Sequence, residues 1–311
     1  MTAPLLIVSH PACLEHDVGP GHPESPARLR AVLDAIETFA SDHDVEMVEA
    51  PRASREALLR IHPATYLDWL DRQFPEQGIN WLDADTALCP KSREAVYRAA
   101  GAVEHAVERV LTTDTRRVFC AVRPPGHHAE PAQAMGFCFL NNIAVGAAAA
   151  LASGVARVAI VDFDVHHGNG TEAMFAGDER VLFCSLFQHP LYPGSGLSPP
   201  SNTIFVPLAA GTDGAQYRKA FTKHVIPALE RFRPELIFIS AGFDAHVGDP
   251  LAGLALEDED YAWLTERIVS AANASAEGRV ISVLEGGYNL AALRSATLSH
   301  LQALADSGQG R

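Results

Sequence analysis

Two carboxylates and an imidazole directly follow an apolar run in this sequence. In the segment Ile160–His166, the polar residues Asp162, Asp164 and His166 alternate with apolar ones. Residues two apart in an extended chain point the same way, so these three side chains are expected on one face. Buried charges are generally paired or bound to metal. Because no basic residue stands near them in the sequence, the pattern favours a metal site over a salt-bridge network with arginines.

A third ligand would complete a catalytic metal site. Such a zinc site takes three protein ligands from His, Asp or Glu and leaves one position open for water or substrate. Asp164 and His166 supply two of them. Asp244 is the best candidate for the third, because it also follows an apolar run and is expected at the same edge of a sheet. Ligands of this kind would also accept iron, cobalt or manganese.

A pair of adjacent histidines could transfer protons beside such a metal. His127 and His128 follow the stiff turn Pro124–Gly126. Hydrolysis of an amide needs a base that takes a proton from water and an acid that protonates the leaving amine, and imidazole can do both near neutral pH. The alternative is a histidine pair on an ordinary surface loop.

The segment Glu285–Tyr288 adds a phenol and two glycines. Glycine permits a close approach of the backbone to a site, and a phenol placed there can donate a hydrogen bond to a developing oxyanion. The alternative is a turn at the end of a strand with a packing tyrosine.

Short apolar runs that alternate with helical patterns must position these residues. The predicted strands are residues 1–8, 118–122, 158–161, 181–185, 236–240 and 280–284, and the predicted helices are 27–40, 92–112, 139–152, 214–232, 257–275 and 289–305. Near-continuous apolar strands suit a parallel sheet covered on both faces, and the alternation predicts a doubly wound α/β fold. Ligands bind in such folds beyond the carboxyl ends of the strands, which is where the polar segments lie.

The composition favours one globular domain over residues 1–311, with 48% apolar and 20% charged residues. No apolar stretch reaches the roughly 18 to 20 residues that a membrane-spanning helix needs. The segment Met1–Val8 lacks the basic region of a secretory signal, so a cytoplasmic protein is expected. The net charge of −14 would repel phosphates, so neither direct nucleic-acid binding nor membrane binding is expected. The five cysteines show no CxxC spacing and are expected to be reduced.

Six segments together resemble the zinc-dependent histone deacetylase superfamily, which includes acetylpolyamine amidohydrolases and acetoin-utilisation proteins. They are His22–Leu29, Pro124–His128, Gly136–Asn142, Asp162–Gly170, Ala241–Asp244 and Glu285–Tyr288. Each is modest evidence alone, but all stand in the family's order and cover nearly the whole chain. Asn169 makes the pattern more similar to the class II branch than to class I. The resemblance implies an arginase-like α/β fold with a central parallel sheet of about eight strands and helices on both faces.

The resemblance also implies a role for each site residue. One zinc ion would be bound by Asp164, His166 and Asp244. His128 would be the general base and acid, with Asn169 beside it, and His127 would be an electrostatic partner oriented by Asp162. Tyr288 would polarise the amide carbonyl. A structural potassium ion is implied at Asp162, Asp164, His166, Ser185 and Leu186.

A narrow substrate tunnel is implied as well, lined by Gly136, Phe137, Tyr192 and Leu251. Phe137 and Tyr192 would face each other across it, which suits the slim alkyl stem of an acylated lysine or an acylated polyamine. Asp85 would lie on the rim and accept hydrogen bonds from the backbone or the amine of the substrate.

These features predict a metal-dependent hydrolase that removes acetyl or other acyl groups from lysine side chains of peptides and proteins or from related small amines. An acetylpolyamine amidohydrolase is the first alternative. An arginase-type ureohydrolase would need further carboxylates to bridge two manganese ions, and the segment His167–Asn169 supplies none. A non-catalytic acyl-lysine binding protein would gain nothing from residues that activate water. A homo-oligomer would be compatible with the sequence.

Overall fold

The computed structural model describes residues 4–306, so residues 1–3 and 307–311 of the expected 1–311 domain lie outside the described residues. The strands of the described part are β1 (Leu5–Ser9), β2 (Val45–Glu49), β3 (Asn80–Trp81), β4 (Ala87–Leu88), β5 (Arg117–Cys120), β6 (Val158–Asp162), β7 (Val181–Gln188), β8 (Thr203–Leu208), β9 (Leu236–Ala241) and β10 (Val280–Leu284). Eight of them form one sheet in the order β2-β1-β5-β10-β9-β6-β7-β8. β3 and β4 form a separate antiparallel pair.

The pairings within the main sheet are parallel, as the apolar strand pattern predicted. β5, β6, β9 and β10 are buried at every residue, which explains why their sequences are almost continuously apolar. Helix–strand alternation supplies the crossover that each parallel connection needs. The expected sheet of eight strands is therefore confirmed.

Helices cover both faces of this sheet. Those of the described part are α1 (Pro26–Ala40), α2 (Arg55–Leu59), α3 (Ala64–Gln73), α4 (Ser92–Thr112), α5 (Asn142–Ala152), α6 (Asn169–Phe175), α7 (Gly214–Phe232), α8 (Asp258–Ser275) and α9 (Leu290–Ala305). One layer contains α1, α7, α8 and α9, and the other contains α4 and α5. Among residues 4–306, no helix is both long enough and apolar enough to cross a membrane.

The predicted helix limits are close to those observed, with one informative exception. α5 begins at Asn142 rather than at 139, because Asn141 caps it: its Oδ1 accepts a hydrogen bond from the Ala144 N–H at 3.0 Å. Phe139 and Leu140 are buried in the preceding loop instead. Their apolar character therefore reflects burial and not helix formation.

The elements missed by the sequence pattern lie mostly at the edges of the fold. β2 and β8 are the two outer strands of the main sheet. β2 carries Glu46 and Glu49, and β8 contains Pro207. Charges and proline are typical of edge strands, which are partly exposed and lack the continuous apolar run used for prediction. The short helices α2, α3 and α6 were also missed.

Candidate metal centre and active site

Four neighbouring strands bring the polar segments to one edge of the sheet. β5, β10, β9 and β6 are consecutive in the sheet order and run parallel, so their carboxyl ends lie together. The segments that follow them are 123–128, 285–288, 241–244 and 163–170, in that order. Residues far apart in the chain therefore meet at the edge where such folds bind ligands.

Three side chains at this edge form what we call the metal centre: Asp164, His166 and Asp244. Each offers one ligand atom, and these atoms all lie within 4.8 Å of one another. His166 Nδ1 is 3.1 Å from Asp164 Oδ1 and 3.1 Å from Asp244 Oδ2. Both carboxylates are buried, whereas the imidazole is 12% exposed. Two carboxylates and an imidazole that converge in this way fit a divalent metal ion with an accessible side.

The strand ends before the metal centre is reached. β6 stops at Asp162, so the strand predicted at 158–161 is confirmed. Asp164 and His166 lie on the following loop, and the extended chain expected as far as His166 was wrong beyond Asp162. The loop carboxylates accept hydrogen bonds from the loop's own backbone. Asp162 Oδ1 accepts from the Asp164 N–H at 3.1 Å, and Asp164 Oδ1 accepts from the His166 N–H at 2.9 Å. These bonds bend the chain and hold the two ligands close together.

Backbone N–H groups in the loops after β10 and β6 also hold the two ligand carboxylates. The Gly286 N–H donates to Asp164 Oδ2 at 2.8 Å, and the Val165 N–H donates to Asp244 Oδ1 at 2.8 Å. A Cβ on Gly242 would lie 2.0 Å from Asp164 Oδ2, and one on Gly286 would lie 2.1 Å from Asp244 Oδ2. Both glycines are required because the backbone approaches the carboxylates too closely for any side chain.

The electrostatics of the metal centre favour a positive charge. Burial alone would lower the pKa of His166, yet the carboxylates of Asp164 and Asp244 raise it to about 10. Burial, and next the Asp164 carboxylate, raise the pKa of Asp244 to about 7. A cation bound next to the two buried carboxylates would stabilise their charged forms.

His127 and His128 lie against each other beside the metal centre, with ring centroids 4.0 Å apart. His127 Nδ1 is 3.0 Å from Asp162 Oδ2. Burial opposes a charge on His127, but the Asp164 and Asp162 carboxylates raise its pKa well above the ordinary value. Burial, and then the charge of His127, lower the pKa of His128 well below the ordinary value. The pair therefore divides into one charged and one neutral imidazole.

Asn169 determines which nitrogen of His128 carries the proton. Asn169 Nδ2 donates to Glu130 Oε1 at 2.8 Å, so its Oδ1 is the atom 2.8 Å from His128 Nδ1. An amide oxygen only accepts, and His128 Nδ1 must therefore be the donor. This leaves Nε2 of the neutral ring free to take a proton.

Gly136, Phe137, Tyr192 and Tyr288 surround the two histidines and the metal centre. A Cβ on Gly136 would lie 2.5 Å from His128 Cδ2, and its φ of +56° also favours glycine. The Tyr192 ring meets the His128 ring edge-on at 5.2 Å, and the Phe137 ring meets that of Tyr288 at 5.9 Å. Tyr192 thus lies against His128, and Phe137 lies against Tyr288.

The two remaining rim residues lie farther out. Leu251 is 37% exposed, and its N–H donates to Asp249, whose other oxygen accepts from the Tyr288 N–H at 2.7 Å. Asp85 is half-buried on the β3–β4 connection, and its backbone carbonyl accepts from His22 Nε2 at 3.0 Å. Neither side chain contacts the metal centre, which agrees with a place on the outer rim.

Of the five residues expected to bind potassium, Asp162, Asp164 and His166 lie on β6 or the loop after it. Ser185 and Leu186 lie on the adjacent strand β7, where Asp162 is paired with Ser185. Ser185 Oγ is 3.3 Å from His167 Nδ1. The sheet thus places Ser185 and Leu186 beside the end of β6, on the side away from β9.

Sequence reasoning missed a group of buried charges that we call the arginine cluster: Glu24, Arg28 and Arg123. Glu24 Oε1 accepts from Arg28 Nη1 at 3.0 Å and from Arg123 Nε at 2.5 Å, and the three side chains are 0% exposed. Arg28 also donates to the carbonyls of Glu285 and Gly287, and its guanidinium lies 4.8 Å from the Tyr288 ring centroid. The spacing of Glu24 and Arg28, four residues apart, was the signal for this pair.

Together, the fold and the site define a class of α/β proteins in which metal ligands and paired histidines meet at the carboxyl edge of a parallel sheet. The family model for the histone deacetylase domain matches residues 22–304 of this chain. The HD domain of HDA15, a crystal structure, superposes with a TM-score of 0.91 at 31% identity, covering 98% of this chain and 90% of that one. The doubly wound, arginase-like fold is thereby confirmed.

The sequence relatives agree with this result. A histone deacetylase-like amidohydrolase of Pseudomonas aeruginosa is 40% identical, covering 86% of this chain and 73% of that protein. A type-2 histone deacetylase 2 of Dictyostelium discoideum is 34% identical over 96% of this chain, which spans 20% of that longer protein. The chain belongs to the histone deacetylase family, and the expected class of enzyme, a hydrolase that acts on amides, is confirmed.

Proposed function

We propose that this protein is a zinc-dependent amidohydrolase that removes acetyl or other acyl groups from lysine side chains or related amines. The observation that carries the proposal is the position of a neutral imidazole, His128, whose ring lies 5.9 Å from that of His166 in the metal centre and 5.2 Å from that of Tyr192. An acyl-lysine reader would not need a proton acceptor next to metal ligands. The arrangement therefore supports catalysis rather than binding alone.

His128 performs the proton transfers in this proposal. Its Nδ1 proton is held by Asn169, so Nε2 accepts a proton from the attacking water and later delivers it to the leaving amine. His127 remains charged through Asp162 and stabilises negative charge that develops close by. The products are a carboxylate and a free amine.

Asp164, His166 and Asp244 would hold the zinc ion. When bound, zinc polarises an amide carbonyl and lowers the pKa of water toward about 7. Tyr288, whose ring contacts that of Phe137, would donate a hydrogen bond from its hydroxyl to the carbonyl oxygen as charge accumulates there. Burial raises the pKa of Tyr288 well above its ordinary value, so the phenol stays protonated and can donate this hydrogen bond.

The substrate class in this proposal follows from the residues expected to line the entrance. Phe137 and Tyr192 would form a slot for a linear alkyl chain, and an acyl-lysine peptide or an acylpolyamine carries such a chain. Leu251 is neutral, which favours acyl-lysine, because a polyamine has a second ammonium that a carboxylate would recognise. Asp85 on the rim accepts a hydrogen bond from either kind of substrate in this proposal.

Three further expectations remain part of the proposal. One catalytic domain spans the chain, a potassium ion lies near Asp162 and Ser185, and the protein acts in the cytoplasm without nucleic acid. The two manganese ions of a ureohydrolase are not favoured, because the ligand group found among residues 4–306 contains three residues and no bridging carboxylate beyond them. Homo-oligomerisation is compatible with the proposal.

Steady-state turnover on a substrate panel tests the proposal. The panel contains acetyl-lysine peptides, longer acyl-lysine peptides, acetylpolyamines and arginine, each measured with chelator and after zinc is added back. We expect turnover of at least one acyl-lysine substrate, its loss with chelator and its recovery with zinc. Turnover of arginine alone, or full turnover in chelator, would contradict the proposal.

A further inference from the structure

Glu285 is a buried carboxylate that the proposed proton transfers do not use. It directly follows β10, is 0% exposed, and belongs to the segment that carries Tyr288. Its backbone is fixed on both sides, because its N–H donates to the Ala241 carbonyl at 3.0 Å and its carbonyl accepts from Arg28 at 2.5 Å. The side chain therefore projects from a rigid base.

The Glu285 carboxylate binds the backbone of the segment Pro124–His128, which we call the histidine turn. Oε2 accepts hydrogen bonds from the Gly126 N–H at 2.7 Å and from the His127 N–H at 3.1 Å. Oε1 is buried and has no hydrogen-bond partner among the described residues. Burying a carboxylate costs free energy, and here one of its oxygens accepts hydrogen bonds from two backbone donors. The side chain therefore holds this backbone segment in place.

The histidine turn has few other anchors of this kind. The His127 carbonyl accepts from the Thr171 N–H at 3.1 Å, and Asn142 Nδ2 donates to the Pro124 carbonyl at 3.0 Å. Both of these bonds hold carbonyl groups of the turn. The two N–H groups at Gly126 and His127, immediately before His128, are held by Glu285 alone among residues 4–306.

We propose that Glu285 is a positioning residue for catalysis, which fixes the Gly126–His127 backbone and thereby the place of the His128 ring between the metal centre and the slot. This inference rests on the proposed function, in which His128 transfers the proton. Proton transfer depends steeply on position, and a displacement of about 1 Å can cost about 10²-fold in rate. Substrate and metal contacts lie on other residues, so the effect of Glu285 falls on kcat.

Two substitutions separate positioning from charge. Glu285→Leu removes the acceptor and keeps most of the volume. Glu285→Gln removes the charge but keeps an oxygen that can accept hydrogen bonds from both N–H groups. Because burial raises the pKa of Glu285 to about 7, the amide also resembles the protonated acid. Asp260→Leu is the matched control, because Asp260 is 3% exposed and accepts from the Glu257 N–H at 2.8 Å, away from the site.

We expect Glu285→Leu to lower kcat by about 10²-fold on an acetyl-lysine peptide while KM and the metal content stay unchanged. Glu285→Gln should recover kcat to within about tenfold of the wild type. Asp260→Leu should lower thermal stability and leave kcat per folded molecule unchanged. Wild-type kcat in Glu285→Leu, equal losses in the Leu and Gln variants, or losses that follow metal content would overturn the proposal.

A second readout does not depend on turnover. The side-chain ¹H–¹⁵N signals of His127 and His128, recorded on the zinc-loaded protein, should shift in Glu285→Leu and stay close to the wild type in Glu285→Gln. Unchanged signals in the Leu variant would contradict the positioning role. If the wild type turns over no amide but the signals shift as expected, the proposed function fails and the positioning role stands.

Discussion

The arginine cluster and the metal centre are two buried groups of charges joined through the segment Glu285–Tyr288, and the protein neutralises them differently. In the arginine cluster, the Glu24 carboxylate contacts two guanidinium groups. In the metal centre, the ion pairs of Asp164 and Asp244 within the described residues are formed with histidines. The charges of the arginine cluster are balanced by side chains of the chain itself, whereas the metal centre is suited to an added cation.

The pKa values of one buried acid in each group, Glu24 and Asp244, differ in the same way. Burial alone would raise the pKa of Glu24, but Arg123 and Arg28 lower it to about 2. Burial and Asp164 instead raise the pKa of Asp244 to about 7. Burial of an acid is therefore not itself a sign of a metal site. Burial alone would also raise the pKa of Asp164, but His127 and His166 lower it, so the metal centre contains one acid of low pKa and one of high pKa.

The largest predicted effect is on the metal centre. Asp244→Asn replaces a carboxylate ligand by a weaker neutral one, so the chain should lose its metal and its turnover should fall to background. Elemental analysis and turnover of an acetyl-lysine peptide check this result. Asp258→Asn, at a 40% exposed carboxylate, is the control and should keep both. A fully loaded, inactive Asp244→Asn protein would show that Asp244 is not a ligand.

The next effect is on stability and concerns the arginine cluster. Glu24→Gln leaves two buried guanidinium groups without their counter-charge and should lower the free energy of unfolding at pH 7 by about 3–5 kcal/mol. Glu46→Gln breaks the exposed ion pair with Arg109 and should cost at most about 1 kcal/mol. Urea denaturation at equilibrium measures both. Similar losses of unfolding free energy in Glu24→Gln and Glu46→Gln would contradict the special role of the buried arginine cluster.

Glu24→Gln also tests the pH dependence of the free energy of unfolding. The folded-state pKa of Glu24 is depressed to about 2 from 4.5, so its contribution is present above pH 4.5 and is lost as the pH falls through about 2. The stability difference between the wild type and Glu24→Gln should therefore shrink as the pH falls below about 4.5. A difference that grows in acid would contradict this account.

A smaller effect is expected at Tyr288, which lies next to the arginine cluster. Arg28 lies over the Tyr288 ring, and Tyr288→Phe removes a hydroxyl that acts most strongly in the transition state. We expect kcat to fall by about 10²- to 10³-fold with the metal retained. Tyr97→Phe, which removes a hydroxyl bound to Asp71 away from the site, is the control. Undiminished turnover in Tyr288→Phe would exclude the oxyanion role.

The smallest effect is expected on the rim. Asp85→Asn removes a half-exposed charge and should raise KM for a cationic or peptide substrate by about fivefold, which corresponds to about 1 kcal/mol, with kcat unchanged. Glu179→Gln, at an exposed and distant position, should change neither constant. A fall in kcat with constant KM would place Asp85 in the chemistry rather than on the rim.

The sequence predicted the parts of this protein in which local pattern and function coincide. Continuous apolar runs identified β5, β6, β9 and β10, and the polar residues after them identified the metal centre. The turn after Asp162 was not predictable, because it depends on carboxylates that accept backbone N–H groups. The arginine cluster was missed because Arg123 meets Glu24 only after folding, 99 residues apart in the chain.

The metal content of the purified wild-type protein, measured by elemental analysis alongside turnover of an acetyl-lysine peptide, tests the central claim most directly. We predict one zinc ion per chain, loss of turnover when chelator removes it, and recovery when one equivalent is restored. Two bound metal ions per chain, or undiminished turnover by metal-free protein, would contradict the account.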